Sequence, residues 1–227
     1  MAKTLFTSRL GGISSPPYDS FNLATHVGDN AESVAKNREI LATIIGLPRK
    51  QIFFMNQVHG NTVAIIEKNS DPSFAPTADA LFTTVANFAV VTLIADCTPL
   101  LLKSERAVAA VHVGRKGLVA NVLETTLKVF QAHGITNNEI EGEIGPSICS
   151  DCYQVDLETY REVVANNPEA ATDESRRCID VAAGLKARLR DAGIDYRASE
   201  LCVNHTPGYF SYRRDDVTGR QAGLVWL

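Results

Sequence analysis

An α+β fold, with mixed β-sheets and flanking helices, is what this sequence predicts, and three observations predict it. Short apolar runs crowd the middle of the chain between Gln51 and Gly114, segments with helical spacing flank them, and no repeat, low-complexity tract or linker divides the whole. A chain of 227 residues with 45% hydrophobic content can bury a substantial core, so residues 1–227 are expected to form a single domain.

Each element has its own reason. Gly11 to Tyr18 is loop chemistry, because two glycines free the backbone and Pro16-Pro17 forbids helix. Asp29-Asn30 offers an N-cap, and Val34, Leu41, Ile44 and Ile45 recur at helical intervals until Gly46 and Pro48 stop the helix. Strands are then predicted over Gln51 to Val58, Thr62 to Glu67, Ala80 to Thr84, Phe88 to Ala95, Leu100 to Lys103 and Ala107 to Val113. Phe88 to Ala95 is apolar almost throughout, as a strand covered on both faces would be. Gly117 to His133 reads as one helix with Leu118, Val122, Leu123, Leu127 and Phe130 along one stripe. A strand over Glu139 to Ile144 follows, then helices capped by Asp156 and Asp180, the second ending at Gly193. Leu201 to Asn204 and Gly223 to Leu227 are expected as late strands around a polar loop.

The net charge of −4 gives no general attraction to a phosphate backbone or an anionic membrane, which argues against nucleic acid and membrane as partners. No apolar run approaches the roughly 18 residues of a membrane-spanning helix, and the first residues lack the continuous apolar stretch of a signal peptide. Five cysteines are an odd number in a chain large enough to fold without staples, so reduced thiols and a cytoplasmic location are expected.

Three strand-like runs end in groups able to bind a metal or move a proton: His59 in Gln57-Val58-His59-Gly60, Cys97 in Ala95-Asp96-Cys97-Thr98-Pro99, and His112 in Val111-His112-Val113-Gly114. They stand too far apart in sequence for one helical turn, so only a folded sheet can join them. Strand alternation puts Val108, Ala110 and His112 on one face, and Gly114 then lets the chain turn away. Pro99 ends ladder bonding after Cys97, and Asp96, at the end of an apolar run, requires a partner or water. Singly, each residue also has a structural role open to it. Together, two imidazoles and a thiol fit two chemistries: a three-ligand zinc site with an open fourth position, or a cysteine nucleophile with a histidine base.

Two cationic elements accompany them. Tyr209 to Gln221 carries three arginines among aromatic and hydroxyl side chains, suited to phosphate, carboxylate and a flat base. Arg115-Lys116-Gly117 opens the helix after His112, where anions are welcome. The loop Gly145 to Tyr153 contains Cys149-x-x-Cys152, but with no second pair at finger spacing it reads as a loop near the site rather than a zinc knuckle or redox pair.

In this order, Phe21-Asn22-Leu23-Ala24-Thr25-His26-Val27-Gly28-Asp29, Gln57-Val58-His59-Gly60, Ala78-Asp79-Ala80-Leu81, Ala95-Asp96-Cys97-Thr98-Pro99, Val111-His112-Val113-Gly114, Ile144-Gly145-Pro146 and Ser211-Tyr212-Arg213-Arg214-Asp215, running into Thr218-Gly219-Arg220-Gln221, resemble the YfiH/laccase-domain family. The family is also described as multicopper polyphenol oxidases or purine nucleoside phosphorylases. The resemblance implies an α/β/β/α sandwich of two sheets and zinc held by His59, Cys97 and His112, which are then also the catalytic residues. It implies phosphorolysis of purine nucleosides (adenosine, inosine, guanosine and methylthioadenosine), with accompanying adenosine deamination. Gln57, Asp79, Lys116 and Arg213 are the expected substrate-binding residues: Arg213 or Lys116 on inorganic phosphate and Asp79 near the sugar or base. The family usually has Gly-Trp-Arg-Gly where this chain has Gly114-Arg115-Lys116-Gly117, which turns a bidentate anion contact into a point charge at Lys116.

Three rival readings stand beside this one. The family also resembles a peptidoglycan editing factor, so a cysteine hydrolase removing serine from cell-wall precursors is the first. A purine-binding module without turnover is the second, and a copper-dependent polyphenol oxidase the third. Copper is the less favoured metal, since blue-copper clusters need many histidines and this chain has five, with His26 and His133 among those outside the central motifs. No oligomeric state is read from these residues.

Overall fold

Two sheets lie face to face with helices on their outer sides, an α/β/β/α sandwich, in the computed structural model, which describes residues 2–227. The first sheet has the order β1-β10-β5-β2, built from Lys3–Phe6 (β1), Gln221–Trp226 (β10), Ala89–Ile94 (β5) and Ile52–Phe53 (β2). The second has the order β3-β4-β7-β6-β8-β9. Its strands are Val63–Ile66 (β3), Ala80–Thr83 (β4), Val108–Val113 (β7), Thr98–Lys103 (β6), Glu141–Ile144 (β8) and Asp195–Ala198 (β9). Both sheets are mixed, with parallel pairs β2·β5, β3·β4 and β8·β9 among antiparallel ones.

Alternation along the strands builds three cores. Phe53, Val90 and Val225 of the first sheet meet Leu81, Leu101, Val108 and Ala110 of the second, closing the space between the sheets. The opposite face of the first sheet, with Val91, Leu93 and Leu224, is covered by Leu41 and Ala42 of Ala31–Ile45 (α1). The opposite face of the second packs on Arg115–Val119 (α2), Val122–Ala132 (α3), Leu157–Asn166 (α4) and Val181–Asp191 (α5). Asn30, Asp156 and Asp180 each accept a backbone N–H as helix caps, and Gly46 ends α1 with φ 71°. Among the described residues no helix is long and apolar enough to cross a membrane.

Several predicted elements are corrected. The single helix over Gly117 to His133 is two, broken at Asn121, which takes φ 60° and ψ 47°, a conformation asparagine tolerates. Asn61 donates to the carbonyl of Ala120 at that break, at 2.7 Å. Leu201 to Asn204 is no strand: Cys202 makes one bridge to Ser147, and the chain then turns as Thr206 donates to the Cys202 carbonyl. The late edge strand is β9 instead, whose Asp-Tyr-Arg-Ala sequence lacks an apolar run because it has one neighbour and an open side. Of Gln51 to Val58, Ile52–Phe53 forms the strand, and Asn56 adds one isolated bridge to Thr77.

Candidate active site

Two antiparallel pairings bring the predicted residues together. β7 pairs with β4 on one side and β6 on the other, with Ala80 opposite Val111 and Pro99 opposite His112. The end of β7 and the starts of its two neighbours therefore share one edge of the sheet, carrying His112, Asp79 and Cys97. Cys97 arrives there as the chain crosses from β5 in one sheet to β6 in the other, through Asp96 at φ 100°. His59 comes over from the β2–β3 loop. The ligand atoms of His59, Cys97 and His112 lie within 4.8 Å of one another. His59 Nε2 is 3.7 Å from Cys97 Sγ, and the two imidazoles stand edge to face at 4.7 Å.

Asp79 organises this arrangement from behind. Its carboxylate, fully buried, takes the N–H groups of His59 at 2.9 Å and Gly60 at 2.6 Å, a longer one from Val58 at 3.3 Å, and His112 Nδ1 at 2.8 Å. The first three hold His59 at φ 61°, a left-handed conformation uncommon outside glycine. The fourth commits Nδ1 of His112, leaving Nε2 as the ring atom for a ligand, as carboxylates behind metal-binding histidines do. Burial pushes the Asp79 carboxyl up, yet the His112 ring and the N–H donors outweigh it and hold it below its ordinary value. Gly114 leaves the necessary room: a Cβ there would stand 2.8 Å from His59 Cδ2 and 3.2 Å from Cys97 Sγ.

Charge follows geometry. Burial raises the Cys97 thiol, but His112 and His59 beside it more than compensate, and it settles at about 6. Burial lowers His112, while Cys97 on one side and Asp79 on the other lift it to about 9. Between those values the metal-free protein holds a thiolate against an imidazolium. Two imidazoles and one thiolate, with one ring oriented by a buried carboxylate and all three facing a cavity, suit a zinc ion with its fourth position open.

That cavity has a volume of about 350 Å³. His59, Cys97 and His112 line it, together with Tyr212, Arg213 and Arg220. Arg213 lies over the Tyr153 ring at 5.1 Å, donates to the Gln154 carbonyl at 2.7 Å, and has its backbone N–H on the Asp96 carboxylate at 2.7 Å. Asp96 also accepts from Ser211 Oγ at 2.6 Å, so the partner its sequence position demanded is the arginine loop. Gln57 lines the cavity, but its amide is doubly bonded to the backbone of Leu93. Lys116 is exposed in an adjoining groove with Arg115, Val58 and His59.

Asp79, expected near the sugar or base, is fully buried behind His112 and is not among the residues lining the cavity; its carboxylate accepts the donors already named. His26, Tyr153 and Arg220 line the cavity without having been named as individual site residues, although Arg220 lay in the arginine loop and Tyr153 in the loop read as near the site. The signal was present for all three, since each falls inside a quoted segment. Arg220 and His26 are close enough that burial, then the Arg220 charge, lowers the imidazole. One further gathering was read as improbable: Cys149 and Cys152 meet Cys202 and His205 with ligand atoms within 4.8 Å.

With fold and site in place, residues 3–227 match the family model described as multi-copper polyphenol oxidoreductase laccase. The chain belongs to this laccase-domain, or YfiH, family. Relatives within the family carry a different kind of name. A purine nucleoside phosphorylase of Streptomyces coelicolor is 39% identical over 98% of this chain and 94% of its own length. One of Haemophilus influenzae is 36% identical over 97% and 92%. Among laccase-domain structures, the Bacillus licheniformis hypothetical protein YfiH superposes with a TM-score of 0.91 at 26% identity, over 100% of this chain and 92% of that one. A Neisseria meningitidis family member gives 0.88 at 34% identity, over 100% and 94%.

Proposed function

We propose that this chain, as one domain over residues 1–227, is a zinc-dependent purine nucleoside phosphorylase acting on adenosine, inosine, guanosine and methylthioadenosine, with adenosine deaminase activity alongside. The observation that carries the reading is the convergence of His59, Cys97 and His112 at a cavity that Arg213, Arg220 and Tyr212 also line. The names of the relatives support it.

Phosphorolysis requires phosphate to be held against the anomeric carbon while the bond to the purine breaks and its electron pair leaves with the base. Arg213 and Arg220 supply cationic forks for the phosphate, and Tyr153 and Tyr212 supply ring faces for the base. Asp96, which accepts from Ser211 Oγ and the Arg213 N–H, positions the arginine loop. Lys116 adds a charge in the adjoining groove. Zinc held by His59, Cys97 and His112 supplies Lewis acidity and the activation of water that deamination uses. The reading includes a cytoplasmic setting, supported by five cysteines that are all unpaired.

The test is hypoxanthine release from inosine, with and without phosphate, on protein of measured zinc content. Phosphate-dependent release that disappears in Cys97→Ala is expected. A second reading has an observation in its favour: a thiol settled at about 6 and 3.7 Å from an imidazole is also equipped as a nucleophile. Serine release from a muramyl precursor without phosphate, blocked by alkylation and indifferent to chelators, would replace the phosphorylase with that editing hydrolase. Phenol oxidation with copper would replace both.

A further inference from the structure

We infer that Cys149, Cys152, Cys202 and His205 form a second metal site, structural rather than catalytic, for a thiophilic divalent ion of the zinc class. The sequence pattern becomes visible once the fold is known. Cys149-x-x-Cys152 is matched by Cys202-x-x-His205, two knuckles far apart in the chain whose donor atoms gather within 4.8 Å.

Local backbone makes each knuckle. Cys149 precedes a single 3₁₀ turn, Ser150–Cys152, with the Cys152 N–H on the Cys149 carbonyl at 3.1 Å. Cys202 begins a turn closed by the Thr206 N–H on its own carbonyl at 3.1 Å. The parallel bridge between Ser147 and Cys202 sets the two turns side by side. The guanidinium of Arg214 grips the second from behind, donating to the carbonyls of Val203 at 2.9 Å and Tyr209 at 2.8 Å.

The donors suit a closed tetrahedron. Three thiols and one imidazole leave no vacancy, which is the composition of structural zinc sites and not of catalytic ones. The Cys149 N–H already points at Cys202 Sγ at 3.3 Å, the kind of amide contact that steadies a metal-bound thiolate. His205 Nε2 faces Cys152 Sγ at 2.9 Å. In a tetrahedron of ~2.3 Å Zn–S and ~2.0 Å Zn–N bonds that edge opens to about 3.5 Å, which the exposed His205 can meet by rotating. All five cysteines are unpaired, so the three thiols are available.

The site would staple two walls of the main cavity. The first knuckle lies between Ile148 and Tyr153, and the second leads into Tyr212 and Arg213, all four of which line that cavity. The inference does not depend on which reaction the cavity supports.

Metal content of purified protein, by elemental analysis after gel filtration, tests it. Wild type should carry about two zinc ions per chain, Cys97→Ala about one, and the Cys97→Ala, Cys152→Ser double variant none. His205→Ala, a change at an exposed position that spares the interior, serves if the double variant fails to fold: in the Cys97→Ala background it should weaken Co(II) or Zn(II) binding about 10-fold or more. In Cys97→Ala, three of the four remaining thiols should be shielded from a thiol reagent until a chelator is added. Metal binding in the Cys97→Ala background that neither Cys152→Ser nor His205→Ala alters overturns the site. So does a Cys97→Ala protein that takes up no metal, or a disulfide joining any two of Cys149, Cys152 and Cys202.

Discussion

Two clusters of soft ligands occupy this chain, and they are built in opposite ways. His59, Cys97 and His112 stand at strand ends and a loop locked by a buried carboxylate, three donors beside a cavity. Cys149, Cys152, Cys202 and His205 stand on two turns steadied by backbone contacts and Arg214, four donors without a vacancy. A three-donor set placed rigidly beside a cavity leaves room for substrate, whereas a four-donor set on loops spends all its coordination on joining them. The difference teaches that cysteine and histidine content alone says little about role. The number of donors, and what holds them from behind, decides.

The comparison breaks first at Asp79. Asp79→Ala leaves the His112 ring and three N–H groups without their acceptor, and an unfolding titration should show a loss of about 3–5 kcal/mol. Because the folded carboxyl is held below its ordinary value, this stabilisation is complete above the unfolded value of about 4 and is lost as pH falls through the folded one. The stability gap between wild type and Asp79→Asn should therefore narrow in acid. Thiol reactivity should separate the clusters next. In metal-stripped protein, Cys97 alkylation should rise through about pH 6, since the thiolate exists above that value. Burial and the neighbouring thiols push Cys152 up to about 12. At pH 7 the lower nucleophilicity of an acidic thiol offsets part of the gap in thiolate fraction, leaving Cys97 faster by about two orders of magnitude in peptide mass mapping.

Smaller effects sharpen the contrast. Asp79→Asn keeps the shape but removes the charge behind His112, and zinc affinity at the cavity should fall about 10–100-fold with the Cys149 cluster unaffected. Gly114→Ala pushes a methyl against His59 and Cys97, for a loss of about 10-fold in zinc affinity, and titration against a competing chelator reads this change and that of Asp79→Asn. Asp156→Ala removes the cap of α4, outside both clusters, and should cost about 1 kcal/mol in thermal unfolding while leaving both metal contents unchanged.

Buried strands and capped helices were legible because their signals are local. Phe88 to Ala95 is apolar since β5 lies between two packed layers, and Asn30, Asp156 and Asp180 announce helices by offering an oxygen to an orphan N–H. β9 was missed because an edge strand half in solvent needs no apolar run, and the break at Asn121 because a helical stripe continues across it. In the site, His59, Cys97 and His112 were visible as chemistry stranded at the ends of apolar runs. Asp79 was expected near the sugar or base, and only the folded structure shows that its oxygens accept the His59 and Gly60 N–H groups and the His112 ring.

By itself the amino-acid order settled what each segment prefers to be: which faces are greasy, where helices start, and which ends carry sulfur or imidazole. Those preferences arise from neighbours a few positions away. Tertiary structure alone decided which distant groups share a point in space, because strand order and register are settled by burying whole faces against each other. That is why Cys149-x-x-Cys152 looked solitary until a bridge from Ser147 to Cys202 set its counterpart beside it.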